Sequence, residues 1–139
     1  MISAAELAIY ARGVDVSNGG ECELRCKISR LYYAAYHFCN TAAAVLCGDL
    51  APGEGENLGS HERLFLRMQG HSKFSAADRS LRVMAEQTKK LKALRVLADY
   101  EIGKVVAAGD CERGQHHLYV VEREHGTATA AAPPPAPAP

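Results

Sequence analysis

One uninterrupted helical pattern, from about Gly20 to Cys47, limits what this chain can fold into more than any other feature. At about 100° per residue, Ile28, Leu31, Ala35, Phe38, Cys39, Ala42 and Leu46 fall on one broad apolar stripe, with Tyr32 and Ala43 at its edge. Such a stripe can make one side of a bundle core. The opposite side carries Arg30 and His37, two turns and about 10 Å apart at helical rise, with Tyr33 between them. A cation, a phenol and an imidazole in a row away from the core need a separate explanation.

The flanking segments are also helical. Residues 3–12 read as a short helix, with Ser3 and Glu6 at capping-box spacing and Gly13 as its stop. The Asn18-Gly19-Gly20 stretch is a turn signal, and residues 49–59, with Pro52, Gly53, Gly55 and Gly59, form a loop. Ser60 is expected to N-cap a helix containing His61, Leu64, Phe65 and Met68, closed by Gly70 and followed by linker. Ser75, with Asp78 three residues on, is expected to cap a long helix to about Ile102. Its apolar stripe is Leu81, Met84, Thr88, Leu91, Ala98 and Ile102, and Arg95 and Asp99 lie on that stripe four residues apart. Asp110 is expected to cap a last helix through about His125. Beyond it, residues 126–139 are rich in Ala and Pro and read as a disordered, partly polyproline tail. No strand-like alternation competes, so the fold class is an all-α antiparallel bundle over residues 1–125.

Composition removes several function classes. Sixteen basic residues balance sixteen acidic ones, so overall charge leaves no polyanion-binding footprint, only room for a local patch. No apolar run reaches eighteen residues, and Met1 to Glu6 lacks a basic leader. A membrane span and a signal peptide are therefore not expected, and a cytoplasmic protein is. Among five cysteines, Cys39 and Cys47 lie on or near the apolar side, while Cys22 and Cys26 are four apart. No CxxC, HxxxH or HExxH accompanies them, so neither a metal site nor another cofactor is expected.

Two short motifs now stand out. Ser29-Arg30-x-Tyr32-Tyr33-Ala34-x-Tyr36-His37 resembles the S-R-x-Y-Y-A-x-F-H stretch of HEPN-domain proteins, and Leu94-Arg95-x-Leu97-Ala98-Asp99-Tyr100 resembles that family's L-R-x-x-A-D-Y. The glycine-rich loop and the Ser60-His61 helix start match in order, and the resemblance covers residues 5 to 125. It implies a HEPN-like bundle of four or five helices, commonly a homodimer, with a prokaryotic defence or toxin–antitoxin role. Some such proteins are metal-independent ribonucleases; others partner a nucleotidyltransferase or an antitoxin, or bind nucleotides.

The ribonuclease branch of that family carries an Arg, four to six residues, then His, often with a polar residue directly after the Arg. Arg30 and His37 have six residues between them, but Leu31 follows the Arg. Arg113 and His117, at the start of the last helix, have only three between them, though His117-x-Tyr119 resembles the family's H-x-Y ending. Metal-free RNA cleavage needs a group titrating near neutrality and a cation for the phosphorane, which His and Arg supply. Arg30 and His37 are the preferred catalytic pair and Arg113 and His117 the second, with Tyr33, His116 and Tyr119 as binding residues. Plainer readings stand beside these: Tyr33 and His37 packed under a neighbouring helix, Arg30 paired with Glu23, and Arg113 to His117 a solvated helical turn. Arg95, Asp99 and Tyr100 read as a buried structural pair with a hydrogen-bonding companion, and His61 as a helix-start residue. Thr88, Lys89 and Lys90, with Lys92 and Arg95, read as a solvated face or as contacts to RNA phosphates. The rival functions are a non-catalytic module binding a nucleotide or partner protein, and a purely structural assembly bundle.

Overall fold

A computed structural model of the chain describes residues 1–70, 76–131 and 137–138. Among them are five helices and no strand: α1 (Ala4–Gly13), α2 (Glu21–Leu46), α3 (Ser60–Gln69), α4 (Ala76–Tyr100) and α5 (Ala108–Ala130). The all-α expectation therefore holds. No described helix is long and apolar enough to cross a membrane.

Helix α2 is the spine. Ile28, Leu31, Ala35 and Cys39 are fully buried, and so are Tyr32 and Ala43, which periodicity put at the stripe's edge. The wider burial follows from α2 meeting neighbours on several sides. Helix α4 runs antiparallel to it, shown by the contacts Ser29 to Asp99, Tyr33 to Arg95 and Cys39 to Thr88. Helix α5 runs back alongside α2, with Cys111 near Leu24 and His125 against Phe38. At Gly114 the three long helices pack closely: a Cβ there would lie 3.2 Å from Leu31 Cδ1 and 3.3 Å from Leu91 Cδ2. Helix α3 also lies across α2 and α4, meeting α4 through Lys89 and Lys92 while Gln87 faces α5, so α3 and α5 occupy opposite sides of the α2–α4 pair.

The helix ends explain how short segments hold. The Ser3 hydroxyl accepts from the Glu6 amide at 3.1 Å and the Glu6 carboxylate accepts from the Ser3 amide at 2.7 Å, the expected capping box. Three C-termini are closed by cations from neighbouring helices. Lys27, buried at 6% exposure, donates to the Arg12 and Val14 carbonyls at the end of α1, both at 3.0 Å. Arg25 donates to the carbonyls of Leu97 and Ala98 at 3.0 and 2.8 Å and to that of Lys104, closing α4. Arg67 donates to Ala43, Cys47 and Gly48, closing α2. Each cation meets the negative end of a helix dipole and donates to carbonyls in or just beyond the last turn.

Several boundaries differ from expectation. The N-cap of α3 is Gly59, and Ser60 is already helical. Ser75 lies outside the described residues. Helix α4 stops at Tyr100, leaving Ile102 80% exposed beyond it rather than on the core stripe. Asp110 is the third residue of α5, not its cap; its carboxylate reaches back to accept from the Ala107 amide at 2.8 Å. Helix α5 runs past Gly126 to Ala130 with Ala128 buried, so residues 126–130 belong to the bundle rather than to a tail. The alanine-rich sequence favours this continuation, and the Thr127 and Thr129 hydroxyls bond back to carbonyls one turn earlier.

Candidate functional site

The two motifs meet on one side of the bundle. Arg95, on α4, donates from Nε to Asp99 Oδ2 at 2.8 Å and from Nη2 to the hydroxyls of Tyr33 and Tyr100 at 3.1 and 3.0 Å. Its guanidinium lies 5.1 to 5.6 Å from the ring centres of Tyr32, Tyr33 and Tyr100, a cation–π arrangement. Burial pulls its pKa down, but Asp99 and the two phenols outweigh this and the net direction is up. Tyr100 does accompany the Arg95–Asp99 pair. The trio is not deeply buried, however: Asp99 keeps 27% side-chain exposure and Tyr100 is 65% exposed, because α4 ends there.

His61 belongs to the same cluster, a role its helix-start position did not suggest. Its Nδ1 shares a hydrogen bond with the Tyr32 hydroxyl, and its ring stacks on Tyr36 at 4.3 Å. Burial, then Lys92 and Arg95, hold the imidazole below its ordinary pKa, and burial raises the Tyr32 phenol, so both groups are neutral near pH 7.

Arg30, Tyr33 and His37 all lie on α2, but their side chains have different surroundings. Arg95 draws the Tyr33 hydroxyl towards α4, while Arg30 is exposed between two surface clefts, one lined by Leu7 and Tyr10 and the other by Ser29 and Asp99. Arg30 does not pair with Glu23, whose side chain folds over Gly19. His37 is exposed, its ring edge-on to Tyr36 at 5.5 Å. Nothing brings His37 and Arg30 together.

The second pair lies on α5. Arg113 and His117 are one turn apart on α5, hence on one face. Asp110 anchors the Arg113 guanidinium through an ion pair. His117 is half-buried, and its Nδ1 lies 2.6 Å from Gln87 Oε1 on α4. A carbonyl oxygen only accepts, so Nδ1 carries the proton and Nε2 keeps a free lone pair. Burial first, then Lys90, His116 and Arg113, lower the His117 pKa, so this base is unprotonated at neutral pH. His116 is exposed, its ring 6.1 Å from that of His117, and Tyr119 is 60% exposed. Of the basic run on α4, Thr88 is fully buried, Lys89 bonds Gln69 and Lys92 pairs with Glu62. Lys90 is the member left near His117.

No protein-family model, curated protein or solved structure matches this chain. The described residues form an all-α bundle of five helices, with His117 against Gln87 and the cations Lys90 and Arg113 bearing on it.

Proposed function

We propose that this chain is a HEPN-like protein of a prokaryotic defence or toxin–antitoxin system that cleaves RNA without metal, with His117 as the proton-transfer group. One observation carries the reading: His117 Nδ1 lies 2.6 Å from Gln87 Oε1, with Lys90 and Arg113 the cations that bear on its ring. In this mechanism Nε2 takes the proton of a 2′-hydroxyl, the oxygen attacks the adjacent phosphorus, and the 5′-oxygen leaves. Arg113 and Lys90 stabilise the charge that builds on the phosphorane oxygens. Leaving-group protonation falls to a second imidazole, which a homodimer brings from the partner copy. The Arg30–His37 pair takes second place, because no neighbouring group orients His37.

The test is RNA cleavage by the purified full chain in excess chelator. His117→Ala, with helicity intact, is expected to lose about 10²- to 10⁴-fold. Gln87→Ala is expected to keep partial activity with an altered pH profile, and His37→Ala to stay near the parent. Cleavage that survives His117→Ala overturns the assignment. Intact RNA with every protein would transfer the reading to a module that binds a nucleotide or partner protein.

A further inference from the structure

On the α3 side of the bundle, away from His117, lies a cleft of about 410 Å³ between α2, the loop after it and the first turns of α3. That volume lies within the range of small-molecule sites. Tyr36 and Asn40 come from successive turns of α2, Ser60 and Arg63 from one face of α3, and Asp49 from the loop. Arg67, also on that face, donates from Nε and Nη2 to the carbonyls of Gly48, Ala43 and Cys47 at the end of α2. Its bond to the Gly48 carbonyl fixes the backbone immediately before Asp49.

The other polar groups are unused. Asn40, Asp49, Ser60 and Arg63 make no side-chain hydrogen bond or ion pair among the described residues, although a carboxylate and a guanidinium line the same cleft. Elsewhere on the protein opposite charges have paired, as in Arg12–Glu122 and Lys92–Glu62. Here Asp49 and Arg63 have not paired, and beside them the Tyr36 ring stacks on His61.

We infer that this cleft binds a free α-amino acid with a ring-bearing side chain. Its carboxylate takes the Arg63 fork, its ammonium meets Asp49, and its ring lies on Tyr36, with Asn40 and Ser60 completing the hydrogen bonds. A zwitterion satisfies both separated charges at once. A purely anionic ligand would leave Asp49 opposing it, and a purely cationic one would leave Arg63 so placed. This site is independent of the proposed ribonuclease residues.

The experiment is calorimetric titration of the full chain with L-phenylalanine, L-tyrosine and L-histidine. L-phenylalaninamide, N-acetyl-L-phenylalanine and adenosine monophosphate complete the set. At least one free amino acid is expected to bind. Removing its carboxylate or its ammonium is expected to weaken binding about 10- to 100-fold, the value of one charge-assisted hydrogen bond. Arg63→Gln and Asp49→Asn, both on exposed side chains, are expected to cause losses of the same size, while His117→Ala leaves binding unchanged. The inference is overturned if no amino acid binds, if the amide or acetyl compound binds as well as the parent, if adenosine monophosphate binds instead, or if Arg63→Gln has no effect. RNA cleavage by the Arg63→Gln variant is expected at the parent level, so the two proposals fail separately.

Discussion

Replacing Lys27 with methionine keeps the length and apolar stem of the side chain and removes only its ammonium. In the parent that ammonium is nearly inaccessible to water and donates to the Arg12 and Val14 carbonyls, both at 3.0 Å. Hydrogen bonds involving a charged group contribute about 1.5–3 kcal/mol each, and a stranded buried acceptor costs about 1–3 kcal/mol. The helix-dipole interaction adds up to about 1 kcal/mol. Against these, methionine is easier to desolvate than an ammonium, which returns part of the loss. The expected net destabilisation is about 2–4 kcal/mol. With a urea slope of about 1.5 kcal/mol/M, the midpoint followed by circular dichroism should fall by about 1–3 M. Amide exchange in α1 should accelerate more than in α4, since only α1 loses its end. Lys104→Met is the control: its side chain is 70% exposed, and surface changes of this kind stay within about 0.5 kcal/mol. A Lys27→Met midpoint indistinguishable from the parent would refute the reasoning that cations close these helices.

Other outcomes follow from the same contacts. His61, His117 and His125 all have folded pKa values below the ordinary value, with burial the largest cause in each. The folded state therefore binds fewer protons than the unfolded chain below about pH 6.5, and stability should be full above that pH and decline as pH falls. Urea midpoints at pH 7.5 and 5.5 test the sign, and His125→Asn should shrink the difference. Burial pushes the Cys39 thiol up to about 12, while Cys22 and Cys26 are exposed. Iodoacetamide followed by mass spectrometry should label Cys22 and Cys26 in the native protein and Cys39 only after unfolding. Arg95→Lys cannot serve Asp99, Tyr33 and Tyr100 from one fork and should cost about 1–2 kcal/mol in urea unfolding, from the hydrogen bonds lost.

What could be read from the chain depended on how far the causal contacts reach. The α2 stripe and the Ser3–Glu6 box were legible because their periodicity and spacing are local. Arg95 and Asp99 were legible as a pair for the same reason, but the Tyr33 hydroxyl that completes their network comes from 62 residues away. No local spacing marks Lys27, Arg25 or Arg67, because their carbonyl partners lie on other elements. The orientation of His117 depends on Gln87, which no spacing rule connects to it. The run from Gly126 to Ala130 was misread because glycine and nearby prolines signal a stop, whereas the alanines and threonines between them continued the helix.

The cationic helix ends have a consequence for how the protein would meet a polyanion. Lys27, Arg25 and Arg67 are among the sixteen basic residues, but their charge answers backbone carbonyls, with Arg25 also shared with Glu21. With sixteen basic residues against sixteen acidic ones, an approaching RNA meets no general attraction. Only a local patch such as Lys90 and Arg113 can displace condensed counterions. With about two phosphates neutralised on a single strand, log K should fall with a slope of about −1.4 against log salt, roughly a sevenfold loss between about 50 and about 200 mM. On such a surface, RNA binding would have to rest on the fit of a few nucleotides rather than on the length of the strand.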